Sequence, residues 1–286
     1  MHEIAGTIFH RWYVTIFGVA FLFFAVRHLG LRKTLLYGVL AFGVGALFEN
    51  LSVHTGFPYT TYTFNPALRG KELWIVDVPL FVPLSYTFMG YFAFAAGRLL
   101  ASGPWRMRAP YWWMEFLLGW MLGVWALWVV DPGSRLGDQF YLGDVFHYRG
   151  PGFWFGLPLQ SQIGFGLTAL ILLSLLFALT RGEPDRDVKG GLVRHPHFSA
   201  LLTWHVQVFH IAVIAIAVGA DAIGGSAFLI WFPAAAITAV YWAAISPRAL
   251  ARARAQVREA AGSVEGDGQV DEPAHEARPE PLGLSR

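Results

Sequence analysis

Three carboxylates, Glu49, Asp77 and Asp131, stand at the edges of apolar runs rather than in polar loops. A carboxylic acid kept neutral by an apolar site can hand its proton to a base as weak as an alkene. Protonating a trisubstituted alkene leaves a tertiary cation, which the π faces of Trp, Tyr and Phe stabilise, and a base can then activate water for attack. The aromatics close to these carboxylates along the chain are Tyr59, Tyr62, Trp128, Trp154 and Phe155. Asn50, His54 and Gln160 are candidates for orienting water or a carboxylate, and Arg11 is a candidate counter-charge. Each residue also has a simpler role. Asp77 lies just ahead of Pro79, where an acid favours a helix start. Arg11 is placed to snorkel to an interface, and the aromatics to form an interfacial belt.

Metal chemistry finds little support. There is no cysteine, His205 and His210 are spaced i, i+5 instead of i, i+4, and His195-Pro196-His197 stands alone. No metal and no cofactor is expected. The absence of cysteine also excludes thiolate nucleophiles and disulfides. A retinal protein would need an intramembrane lysine, yet Lys33, Lys71 and Lys189 all fall in loops. No phosphate-binding GxxxxGK[ST] loop and no nucleic-acid footprint is present.

The elements that must position these residues are membrane spans. Hydrophobic residues make up 55% of the chain and charged ones only 14%, against about 25% charged in soluble domains. Seven apolar runs approach the ~20 residues needed to cross a bilayer, near Thr7–Arg27, Thr34–Val53, Pro79–Leu100, Tyr111–Val130, Gly156–Thr180, Ala200–Ala220 and Gly224–Ile245. Basic residues concentrate after the odd-numbered runs, which puts the N-terminus outside and the C-terminus in the cytoplasm. The expected fold is an all-α integral membrane protein, a seven-transmembrane helix bundle over residues 1–247, with a polar, disordered cytoplasmic tail over 248–286. Its expected location is the cell membrane as a multi-pass protein, in a bacterial plasma membrane, with lipid as its surroundings.

Within that frame the stretch Phe48 to Tyr91 carries Glu49 out of one span, through an aromatic, proline-rich loop, past Asp77 and into the next span. Connecting loops are ordinarily shorter and more polar, so this one is expected to cover an apolar space. Asp131 sits at the C-terminal end of the fourth span, where the helix dipole disfavours an anion, and Pro132 is expected to stop that helix. Glu115 lies sixteen residues earlier, ~24 Å away on a helix, and cannot share a site with Asp131. A second irregular aromatic loop, Gly133 to Phe155, returns to the same face. Gly38, Gly43 and Gly45 in the second span are expected to allow a close approach to a neighbour.

Taken as an ordered set, Glu49, Thr55-Gly56-Phe57-Pro58, Tyr62, Val78-Pro79, Asp131-Pro132 and Phe155-Gly156-Leu157-Pro158 resemble the carotenoid biosynthesis membrane family that includes bisanhydrobacterioruberin hydratase and the gamma-carotene hydratases. The resemblance covers roughly Ala41 to Thr168. It departs at Pro58-Tyr59-Thr60, Gln160-Ser161-Gln162 and Gly164-Phe165, changes that bear on the substrate. The resemblance implies a hydratase that adds water to a terminal double bond of a hydrophobic polyene or isoprenoid. The same residues also suit a protonation-initiated cyclase, in which an internal double bond captures the cation and water is excluded. A second alternative is a carrier that binds isoprenoids or lipids without reacting.

Overall fold

A computed structural model describes residues 2–150 and 152–244; the expected tail over 248–286 lies outside the described residues. Among the described residues the main elements are eight helices: α1 (His2–His10), α2 (Trp12–Leu29), α3 (Leu31–Thr55), α4 (Phe81–Ser102), α5 (Trp112–Ser134), α6 (Leu159–Leu179), α7 (Phe198–Ala217) and α8 (Asp221–Ala244). Six of them, α2, α3, α5, α6, α7 and α8, are long and apolar enough to cross a membrane. The chain therefore reads as a multi-pass membrane protein. The 25 residues of α3 extend ~37 Å at 1.5 Å each, more than the ~30 Å of a hydrocarbon core.

The expected first span is broken. Arg11 leaves helical geometry, with φ −104° and ψ 43°, and separates the short α1 from α2. The reason is its side chain, which is buried against Glu72 and the Leu142 carbonyl.

The helix over the expected third span, α4, is not among these six, and protein surrounds it. Every residue from Tyr86 to Leu100 is buried, and α4 packs against α2, α3, α5, α6 and α7. Hydrocarbon does not set its composition, so it carries Tyr86, Tyr91 and Arg98 inside the bundle. Small residues let its neighbours approach. A Cβ added at Gly97 would lie 2.4 Å from the backbone nitrogen of Gly119 on α5, and one at Gly45 of α3 would lie 2.6 Å from the Tyr86 ring. Of the three glycines singled out in the second span only Gly45 makes such an approach; Gly43 faces open space.

The loops beyond α3 and α5 are not plain connections. Tyr62–Phe64 (β1) pairs antiparallel with Phe146–Tyr148 (β4), in the register Tyr62↔Tyr148, Thr63↔His147 and Phe64↔Phe146. Trp74–Ile75 (β2) pairs with Val78–Pro79 (β3). The two aromatic loops are thus hydrogen-bonded into one cover. Side chains alternate across a strand, so Tyr62, Phe64, Phe146 and Tyr148 face inward while His147 is exposed.

The opposite end of the bundle is tied by charge. Arg98, with no exposed surface, donates to Glu115 (3.1 Å), Glu183 (2.6 Å) and Thr180 (2.7 Å). Arg108 and the Ala109 amide complete the partners of Glu115. His195 and His197 are buried beside this network. Burial pushes His195 down to about 4; it also holds His197 well below the usual histidine range, and His28, His195, Arg98 and Arg108 act in the same direction. Both histidines therefore fold neutral, whereas the unfolded chain takes up their protons below about pH 6.5. The unfolded state then binds more protons, and these two groups make stability fall as the pH falls. Their contribution, read as the apparent Tm of wild type in detergent minus that of a His195→Gln, His197→Gln variant, is expected to be level above pH ~6.5 and to drop as the pH is lowered from there toward ~4. Thermal melts across that window check this, and a flat profile would contradict it.

Candidate functional site

Glu49 stands in the last turns of α3, 5% exposed, with a phenol on each carboxylate oxygen. Tyr86 of α4 donates to Oε1 at 2.5 Å, and Tyr62 of β1 donates to Oε2. Below the β1–β4 cover these groups face a cavity of 130 Å³. Asp131, from the last turn of α5, lines the same cavity and is buried. Tyr148, opposite Tyr62 in the ribbon, stands at its rim with a hydroxyl 2.7 Å from Ser161 Oγ. The rest of the wall is chiefly apolar, including Phe17, Phe81, Phe88, Met89 and Phe165.

The phenols that the loops supply are held as acids. Burial pushes the Tyr148 phenol well up, and charge on Asp131 and then on Glu49 pushes the same way. Tyr62 is raised by burial and by the adjoining Glu49, and Tyr59 by burial and then Glu49. Around Glu49 the cavity therefore presents O–H donors and two carboxyls. That set is able to deliver and accept a proton beside an apolar guest.

Tyr59 lines this cavity with its ring and commits its hydroxyl elsewhere, 2.6 Å from Thr168 Oγ1. Thr168 donates its own proton to the Gly164 carbonyl, so Tyr59 is the donor in that pair. Gly164 is required here, since a Cβ would lie 2.6 Å from the Tyr59 ring and 2.7 Å from the Pro58 carbonyl. Tyr59 and Phe165, two positions at which the sequence departs from the pattern it resembles, meet in space, their rings 5.1 Å apart.

The other residues singled out in the sequence lie outside the cavity wall, each with a visible occupation. Asp77 is an exposed ion-pair partner of Arg69 (2.6 Å) and His54 (3.1 Å). Asn50 accepts from the Asp77 amide at 3.2 Å and donates to the Ala46 carbonyl at 2.7 Å. Arg11 neither snorkels nor pairs with Glu49 or Asp131. It is buried against Glu72 at 2.9 Å, with its guanidinium 4.1 Å from the Phe81 ring. Gln160 donates to the carbonyl of Gly56, the left-handed residue that closes α3, at 2.7 Å, and so ties the start of α6 to the end of α3.

Pro132 accounts for Trp128, Trp154 and Phe155. The helix does not stop at this proline; α5 runs through it to Ser134. Proline has no N–H for the carbonyl four residues back, which is that of Trp128. The Trp154 indole takes that carbonyl at 3.2 Å, its ring 5.8 Å from that of Trp128, and Phe155 packs edge-on against Trp154 at 4.8 Å. These aromatics dock the second loop onto α5. Trp154→Phe is expected to leave that part-buried carbonyl unpaired and cost ~1 kcal/mol. Pro132→Ala, which restores the helical N–H, should recover most of the loss. Thermal melts of the two single variants and the double variant check this, and an uncorrected double variant would overturn it.

Sequence reasoning did not pick out Tyr86, Tyr148, Gln207, His210 and Tyr141, all of which line the cavity. For Tyr86, Gln207 and His210 a signal existed, since polar side chains inside an apolar span face the bundle interior. For Tyr148 and Tyr141 there was none, because loop pairing brings them in.

A protein-family model described as "Carotenoid biosynthesis protein" matches residues 9–232. No curated protein and no solved structure matches the chain.

Proposed function

The chain belongs to the family of carotenoid biosynthesis proteins, and from that membership we propose that it is a membrane enzyme adding water across a terminal double bond of an isoprenoid polyene. The observation that carries this reading is the pair Glu49 and Asp131 at one apolar cavity, with Tyr62 and Tyr86 on Glu49. The cavity's 130 Å³ is close to the roughly 150 Å³ of an apolar cavity that takes benzene. It suits a branched end group and leaves the rest of a long polyene to run out of it. One carboxyl delivers its proton to the less substituted alkene carbon. The tertiary cation rests against Tyr59, Phe165 and the ribbon aromatics. Water adds to the cationic carbon, and the second carboxyl takes the oxonium proton, which gives a tertiary alcohol and restores the proton count.

The reading has α4 as a seventh, protein-enclosed crossing, with the Arg98 end in the cytoplasm and the carboxyl cavity toward the outer face. The test is expression in cells that accumulate lycopene-type polyenes, with product masses read from the extracted pigments. Gain of one water per reacted end group is expected. An isomer of unchanged mass would replace this reading with a cyclase, and an unaltered polyene with a carrier.

A further inference from the structure

The polar groups of the cavity are sorted into two kinds. Around Glu49 they include the phenol donors of Tyr62 and Tyr86. On α7 they include acceptors. Gln207 and His210, at i and i+3, lie on one helix face with Ile211, and all three line the cavity. The Gln207 side chain is 4% exposed, and its amide oxygen is buried with no hydrogen-bond partner. Such an atom costs ~1–3 kcal/mol unless something donates to it.

Its neighbour is fixed by elimination. His210 Nδ1 lies 2.6 Å from the Val206 carbonyl, which only accepts, so Nδ1 carries the proton. In the neutral ring Nε2 is then an acceptor, and the Tyr141 hydroxyl bonded to it must be the donor. With its proton committed to His210, Tyr141 offers lone pairs alone. The Gln207 oxygen and Tyr141 present acceptors, and the N–H groups of the Gln207 amide are the donors beside them. The end of α5 that bears Asp131 adjoins this face, since a Cβ at Gly133 would lie 3.5 Å from Ile211.

From this juxtaposition we propose that Gln207, supported by the Tyr141–His210 pair, is the water-positioning residue of the cavity. The inference rests on the hydration reading above. A water whose hydrogens are held by these acceptors turns a lone pair away from them, toward an end group protonated from the carboxyl side. Its oxygen bonds to the tertiary carbon, and the oxonium loses its proton to the carboxylate that did not serve as acid. A donor at the water position would engage the lone pair instead, so capture requires the Gln207 oxygen, and not its N–H groups, to face the water.

The test uses the purified full-length protein in detergent micelles, supplied with lycopene in D2O. Wild type is expected to form alcohol and to leave deuterium in recovered polyene, because protonation followed by proton loss exchanges hydrogen without water capture. Gln207→Met, close in volume but without the acceptor, is expected to lower alcohol by about tenfold, as for one hydrogen bond lost in the transition state. Its deuterium exchange should stay within about twofold of wild type, since a residue acting only on water leaves the acid untouched. Alcohol formation unchanged in the variant would overturn the inference and leave the hydratase reading standing. Loss of exchange together with alcohol would also overturn it, by making Gln207 a structural or acid-supporting residue. A wild type that forms no alcohol would remove the hydration reading and this inference together.

Discussion

Glu49→Gln and Asp131→Asn are each expected to cut alcohol formation from lycopene by ~10²–10⁴-fold, the range that a positioned acid or base contributes, and to differ in solvent exchange. The two side chains keep their shape in these variants but can no longer exchange a proton. Removing the acid stops the first step, so both alcohol and deuterium in recovered polyene disappear. Removing the base spares protonation and its reversal, so deuterium persists while alcohol is lost. The pair of variants therefore assigns the roles, one to each carboxyl. Full activity in both would dispose of the mechanism. Tyr86→Phe and Tyr62→Phe, which strip one donor each from Glu49, are expected to have smaller effects, because the remaining phenol still fixes the carboxyl.

Arg98→Met is expected to destabilise the bundle by about 3–5 kcal/mol, the usual consequence of removing one partner from a buried charge pair. The arginine is fully buried on α4 and reaches Glu115 on α5, Glu183 beyond α6 and Thr180 at the end of α6. Its loss leaves Glu115, itself without exposed surface, with only Arg108 and one backbone amide. Arg108→Met removes a partly exposed cation from the same carboxylate and should cost less. Combining Arg98→Met with Glu115→Met should recover part of the loss, since the orphaned charge goes too. Apparent Tm values in detergent test this. A wild-type melt for Arg98→Met would show that the network contributes nothing to stability.

The parts of the cavity read along the chain are Glu49 and Asp131 on helices and Tyr59 and Tyr62 in the stretch after α3. Glu49 and Asp131 announce themselves because a carboxylate inside or at the edge of an apolar run is costly without a partner. Asp77 bears the same signature, yet it sits on the surface between Arg69 and His54, because nothing in its local sequence tells a helix-start acid from a cavity acid. Arg11 shows the same limit. Its burial was not legible because its partner Glu72 lies in a loop whose path only packing defines.

Trp128, Trp154 and Phe155 are aromatic enough to line a substrate, but a carbonyl freed by Pro132 claims the Trp154 indole, a demand visible only once the helix is known to continue. The composition and charge pattern of the chain determine that it is a helical membrane protein, with acids at the ends of its spans. The pairing of two distant loops through Tyr62↔Tyr148 is decided by tertiary structure alone. So are the enclosure of α4 and the placing of Gln207 and His210 at the cavity, because each depends on which groups lack a partner within their own element and must find one in another.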